Sequence, residues 1–182
     1  MQERETPSLT GTDLKKLTLT AKSLSLRMSR THERDLHTPA TDSHFGEYES
    51  RGERLGSSEI VYLRTMTVAC KSARSALRDQ QFLASGRGSR SIARRFVRAW
   101  FRKTDFTPRR LKARPLPSAH DDVAAIQLYL DAQAGRLEAV MVSVRRGHIR
   151  ASATVMGLAS KVNPRDVVAL SDRLRHSLRQ IR

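Results

Sequence analysis

Near the C-terminus of the chain, apolar residues recur every three or four positions, which is the spacing of one helix face. The stripe within residues 163–182 consists of Val167, Leu170, Leu174, Leu178 and Ile181. Asn163 is a suitable N-cap, and Pro164 suits the first position of a helix. The pattern predicts a helix whose apolar stripe faces a core.

Alternation of apolar and polar residues over 136–156 predicts a β-hairpin just before that helix. With the loop placed at residues 146–147, Val144 lies opposite Ile149, and one face of the hairpin is almost wholly apolar. Such a consistent face supports the choice of turn, because strand register decides which side chains share a face.

The stretch 121–135 is predicted to be a helix. Two aspartates suit its N-terminus and Gly135 suits its end. Val123, Ile126 and Leu130 would then share one face.

These segments predict an α+β fold in three parts. Residues 119–182 form a small, compact helix–β-hairpin–helix unit, and residues 59–118 form a basic helical region with a Pro/Arg-rich linker. Residues 1–58 read as a mostly disordered N-terminal tail, because they are polar and show no sustained period. Two strands alone are marginal, so we expect the helix at 91–103 to pack on the unit, or the unit to form a homodimer.

The region before the basic helix is ambiguous. Residues 60–69 fit a helix or a strand, and a helix is favoured from about residue 70. Residues 85–90, SGRGSR, are predicted to be a flexible basic loop, since their two glycines lack the rest of a nucleotide-binding motif.

Residues 91–103 form the most strongly two-sided segment of the chain. At 100° per residue, one half of the helix carries Ile92, Ala93, Phe96, Val97, Trp100 and Phe101. The other half carries Arg94, Arg95, Arg98 and Arg102. The apolar half must be covered by the domain, by a second copy of the chain or by a bilayer's headgroup region, while the arginines face outward.

The net charge of the chain indicates that its partners are anionic. The 182 residues carry a net charge of +16. Arginine outnumbers lysine 27 to 7, and residues 87–114 hold eleven basic residues against Asp105. Such a cluster attracts phosphates or anionic headgroups, and arginine grips phosphate with two donors at once. Codon bias, or a viral gene read in an overlapping frame, would also raise the arginine content.

The sequence therefore predicts a non-enzymatic nucleic-acid-binding accessory protein, with RNA slightly favoured over DNA. Aromatic residues are few, so binding should rest on phosphate contacts and show little sequence specificity. The predicted contacts are Arg87, Arg90, Arg94, Arg95, Arg98, Arg102, Arg109, Arg110, Lys112 and Arg114. The alternative is an adaptor on anionic membranes, with Trp100 and Phe101 as interfacial anchors.

Other chemistry is not indicated. Cys70 is the single cysteine, which suits a reducing compartment and a cytoplasmic protein, or a nuclear one in a eukaryote. Histidines near residues 32–44 lack zinc-type spacing, so neither a metal nor another cofactor is expected. The sequence pairs no nucleophile with a base.

Overall fold

One antiparallel sheet accounts for most of the structure. The computed structural model describes residues 9, 11–39, 41–101, 110–132 and 135–180. Within these residues the strands are β1 (Ser29–His37), β2 (Thr41–Leu55), β3 (Ser58–Cys70), β4 (Arg110–Leu116), β5 (Val123–Ala132), β6 (Gly135–Arg146) and β7 (Ile149–Leu158). The helices are α1 (Gly11–Leu17), α2 (Ala73–Ala84), α3 (Gly86–Phe101), α4 (Pro164–Val168) and α5 (Leu170–Arg179).

The strand order is β1-β2-β3-β7-β6-β5-β4, and every neighbouring pair is antiparallel. Strands β1 to β3 form one meander and β4 to β7 form another. The two meanders join where β3 pairs with β7. Because α2 and α3 connect β3 in the middle of the sheet to β4 at its edge, they lie between the two meanders in the chain.

This sheet shows that the predicted small helix–β-hairpin–helix fold is wrong. The segment predicted as its first helix is strand β5, which pairs with β4 and β6. Both faces of β5 are covered: Ile126 and Leu128 are buried on one face, and Val123 and Ala125 on the other. A strand that is buried on both faces does not alternate between polar and apolar residues. Its continuous apolar run therefore also fits the period of a helix.

The predicted disordered tail is wrong as well, because α1, β1 and β2 lie within residues 11–55. Phe45 and Tyr48 of β2 are buried. Leu24 and Leu26, in the segment between α1 and β1, are also buried in the core. The polar composition of this region reflects β1, an edge strand with mostly exposed side chains.

The predicted hairpin exists as β6 and β7, but its register is shifted by two residues. Val144 lies opposite Ala151 and Arg146 opposite Ile149. The loop is Gly147–His148, and Gly147 has φ +60°, a conformation that glycine adopts without strain. A shift of two residues keeps every side chain on its face, so the apolar face was predicted correctly despite the wrong register.

The first core cluster lies on the face of the sheet covered by α4 and α5. Strands β6 and β7 contribute valines and alanines such as Val140, Val142 and Ala153, and α5 contributes Leu174 and Leu178. The predicted C-terminal helix is confirmed in position, and it is divided into α4 and α5. The Asn163 side chain accepts a hydrogen bond from the Arg165 backbone N–H at 3.0 Å. Ile181 lies outside the described residues.

The second core cluster lies on the opposite face, beneath α2 and α3. Phe96 of α3 meets Tyr62 of β3 edge to face, with 6.1 Å between the ring centroids. Ile126 and Leu128 of β5 complete the contact surface under the helices. The sheet therefore covers the described apolar side chains of the basic helix, from Ile92 to Val97.

Candidate functional site

Helix α3 presents the arginines of the predicted basic helix. Ala93, Phe96 and Val97 are buried against the sheet. Arg87, Arg90, Arg94, Arg95 and Arg98 are exposed. Arg102 lies outside the described residues. The helix begins at Gly86 rather than Ser91, so the segment predicted as a flexible loop forms the first turns of α3.

A single serine joins α2 to α3. Ser85 ends α2, and its hydroxyl accepts a hydrogen bond from the Gly88 backbone N–H at 3.0 Å, as an N-cap does. A Cβ on Gly88 would lie 1.6 Å from the Phe82 carbonyl oxygen. The absence of a side chain at this position therefore permits the close approach of the two helices.

The exposed arginines of α3 have no ion-pair partner within the described part of the chain. Asp79 of α2 is directed elsewhere, because its carboxylate lies 3.6 Å from Nη2 of Arg150. Among the described residues, no acidic side chain compensates this cationic stripe of α3, whose potential is available to an anionic partner.

Strand β4 adds a second row of cations. Arg110, Lys112 and Arg114 alternate along this edge strand and are exposed. Arg109 lies outside the described residues. The predicted Pro/Arg-rich linker is therefore partly a strand. Pro115 is tolerated there because an edge strand leaves one side unpaired.

The charge of β4 extends to the neighbouring strand. On β5, the pKa of Asp131 is lowered, first by a hydrogen bond from Arg136 and then by the charges of Arg136, Arg110 and Lys112. The Arg136 Nε lies 2.6 Å from the Asp131 Oδ1. The acidic group nearest this row is thus already paired.

The helix and the strand meet at an open depression of about 540 Å³. Arg90 of α3 lines it together with Lys112 and Arg114 of β4, and with Tyr129 of β5. Tyr129 lies opposite Lys112 in the strand pairing and is half-buried. The structure therefore brings three of the predicted basic residues to one aromatic ring, which was missed because β5 was predicted to be a helix.

Arg114 is partly engaged by the protein itself. Its Nε and Nη2 donate to the Gln127 Oε1 at 2.9 and 2.7 Å. Gln127 in turn donates to the buried Glu138 of β6. These bonds hold the guanidinium at the edge of the sheet and leave its remaining donors available.

The membrane alternative requires the apolar half of the helix to contact lipid, but part of that half is buried in the core of the protein. Ala93, Phe96 and Val97 pack on the sheet. Trp100 and Phe101 lie at the C-terminal end of α3. In the described ranges, no helix combines the length and apolarity needed to cross a membrane.

The histidines of the N-terminal region take part in pairs along β1 and β2. His44 Nδ1 lies 2.7 Å from Asp35 Oδ1, and His37 Nδ1 lies 2.8 Å from Asp42 Oδ1. Among the residues whose positions are described, no group of three or more His, Cys, Asp or Glu side chains could hold a metal ion.

Cys70 is buried at the end of β3. Burial raises the pKa of its thiol, against an opposing effect of Arg150. The thiolate, which is the nucleophilic form, is therefore disfavoured.

Comparison with known proteins shows the fold alone. No protein family and no curated protein matches the sequence. Among solved structures, the extracellular domain of PknH from Mycobacterium tuberculosis matches with a TM-score of 0.50. The match covers 95% of this chain and 100% of that chain, at 10% sequence identity.

Proposed function

We infer that this protein is a non-enzymatic accessory protein that binds nucleic acid, RNA ahead of DNA, mainly through phosphate contacts. The observation that carries the proposal is the exposed stripe of arginines on α3, which lies opposite the buried half of the same helix. Exposed, unpaired guanidinium groups release counterions when they bind phosphates, and this release favours binding to polyanions.

The geometry of the stripe suits an extended polyanion. Arg87, Arg94 and Arg98 lie within about 20° of one line along the helix, at 100° per residue. At 1.5 Å per residue, the distance from Arg87 to Arg98 along the axis is about 16 Å. That length corresponds to about five steps of a base-stacked strand, at about 3.4 Å each, so several phosphates of a stacked strand would lie along the stripe.

Tyr129 supports single-stranded RNA as the first ligand to test. Its ring lines the same depression as Arg90 and Lys112. Aromatic rings beside cations are the usual platform for an unpaired base, and stacking on them is tolerant of sequence. The arrangement therefore favours an unpaired strand whose phosphates follow the arginines.

The experiment combines binding and salt titration. A fourfold variant, R87Q/R90Q/R94Q/R98Q, removes four of the five exposed arginines of α3 and keeps Arg95 and the buried half of the helix. With single-stranded RNA, the slope of log K against log salt should fall by about 0.7 for each lost contact, or about 3 units in all. A matched variant, R27Q/R51Q/R54Q/R165Q, removes the same charge at exposed positions elsewhere and should leave most of the slope unchanged.

Further variants and ligands distinguish nucleic-acid binding through α3 from the alternatives. Tyr129→Leu should weaken binding to single-stranded RNA about tenfold or more, while Tyr129→Phe should retain it. If the two fourfold variants reduced the slope of log K against log salt by the same amount, the result would contradict a specific role for α3. If the protein bound anionic vesicles or polyphosphate more tightly than RNA, its partner would be another anion and not nucleic acid.

A further inference from the structure

A second cavity, of about 410 Å³, lies between α3 and strands β3, β6 and β7. It lies on the α2–α3 face of the sheet, and Arg95 is the one exposed α3 arginine among the described residues that line it. Met66, Met141 and Phe96 supply apolar walls. A cavity of this volume with apolar walls is in the usual range for a small-molecule site.

Three arginines from three different elements line this cavity. Arg64 comes from β3, Arg150 from β7 and Arg95 from α3, and none of the described residues that line the cavity is acidic. Three guanidinium groups beside apolar walls favour an anion over a neutral or cationic ligand.

Arg150 has two partners within the described residues, the carboxylate of Asp79 and the thiol of Cys70. Its side chain is 16% exposed, and its ion pair with Asp79 is long, at 3.6 Å, with Asp79 itself 48% exposed. The Nε of Arg150 is buried, and no described residue accepts a hydrogen bond from it. Buried guanidinium groups are usually fully hydrogen-bonded, so Arg150 is a cation whose hydrogen bonding is incomplete within the described residues.

Arg64 is held in place by its neighbours. Its guanidinium lies over the Phe45 ring, 4.8 Å from the centroid, and its Nη1 is 3.9 Å from Glu47 Oε1. The cation–π contact orients the group without using its N–H donors. Ser152 and Thr154 also line the cavity, and neither hydroxyl has a hydrogen-bond partner within the described ranges.

We propose that this cavity binds an amphiphilic anion, a carboxylate or phosphate head on an apolar chain. Arg150 and Arg64 bind the oxygens of the head, with Arg95 at the helix side. The chain lies against Met66, Met141 and Phe96. A fatty acid and an alkyl phosphate share this chemistry, and the experiment uses both.

The probes are decanoate and decyl phosphate, titrated by calorimetry into the full-length protein. Saturable binding is expected for at least one of them. Acetate, which lacks the chain, should bind at least tenfold more weakly, and 1-decanol, which lacks the charge, should not displace bound decanoate at the same concentration.

Two kinds of variant test the site. Arg150→Gln removes the charge and should weaken binding about tenfold or more, since charged hydrogen bonds contribute strongly. Ser152→Met fills the cavity, leaves all three arginines in place and should weaken binding by a similar factor. Arg165→Gln, an exposed arginine on the opposite face, is the matched control and should bind as the wild type does.

Circular dichroism melting establishes that each variant is folded, and Ser152→Met keeps the test valid if Arg150→Gln does not fold. No saturable binding of either probe up to millimolar concentration overturns the proposal. The proposal is also overturned if 1-decanol competes for the cavity as effectively as decanoate does. It is overturned as well if both cavity variants bind the probes with wild-type affinity. The R87Q/R90Q/R94Q/R98Q variant should keep its affinity for decanoate. The nucleic-acid proposal and the cavity proposal are therefore tested independently of each other.

Discussion

Asp122 and Arg175 form a two-pronged ion pair that joins the start of β5 to helix α5. The Arg175 Nη2 lies 2.7 Å from Oδ1 of Asp122, and its Nε lies 2.9 Å from Oδ2. The backbone carbonyl of Asp122 also accepts a hydrogen bond from the Gln80 side chain of α2 at 3.0 Å. One residue thereby links a helix on each face of the sheet to the first residues of β5.

The first prediction is a pH-dependent contribution from this pair. The hydrogen bond from Arg175 is the main cause that lowers the pKa of Asp122. Because the folded pKa lies below the unfolded one, the pair stabilises the protein above about pH 4 and loses its effect as the pH falls through the folded value. Asp122→Asn should cost about 1 kcal/mol at pH 7, a modest figure because the side chain is 35% exposed.

Urea unfolding at a series of pH values measures this effect. The difference between wild type and Asp122→Asn should shrink as the pH falls below about 4. Asp121→Asn, at the exposed neighbouring position, is the control and should change little at any pH. A difference that stays constant down to pH 2 would show that the ion pair does not carry the effect.

The second prediction concerns the junction of α2 and α3. In Gly88→Ala the new Cβ would meet backbone atoms of Phe82, which cannot move without shifting a helix. We expect a loss of about 2 to 3 kcal/mol in the free energy of unfolding. Gly86→Ala, whose Cβ would lie 3.7 Å from a flexible arginine end, should be neutral or slightly stabilising. Equal stability of the two variants in urea would argue against this close approach.

The third prediction tests the stripe of α5. Leu174 is 1% exposed and packs in the core with Leu178. Leu174→Ala should cost about 3 kcal/mol, through lost burial and a residual cavity. Leu158→Ala, at a leucine that is 51% exposed, should cost less than about 1 kcal/mol. If thermal melting gave both variants the same loss, the stripe would not be part of the core.

Local periodicity predicted the elements that have one buried face. Helix α3 and the helices α4 and α5 each bury one stripe, so the apolar pattern along the sequence shows their period directly. The arginine stripe of the candidate site was predictable for the same reason. The start of α3 was not, because the glycines at 86 and 88 are typical of a loop, whereas here Gly88 permits a close contact with α2.

Contacts between distant segments could not be predicted from one sequence. Arg64 and Arg150 are 86 positions apart, and they line one cavity because β3 pairs with β7. Tyr129 reaches Lys112 because β4 pairs with β5, and the apolar run of β5 hides its strand period. These residues belong to their sites through sheet topology, which leaves no local signal in the sequence.

The last prediction tests whether the N-terminal region is part of the domain. Tyr48 of β2 is 6% exposed and belongs to the same core cluster as Leu63 of β3, its partner in the strand pairing. Tyr48→Ala should therefore cost about 3 kcal/mol, as the loss of a buried aromatic ring usually does. Arg51→Ala, at an exposed position of the same strand, should change the unfolding free energy by less than about 0.5 kcal/mol. Urea unfolding followed by circular dichroism distinguishes the two. A dispensable tail would tolerate both substitutions equally, whereas a strand that covers β3 tolerates the second alone.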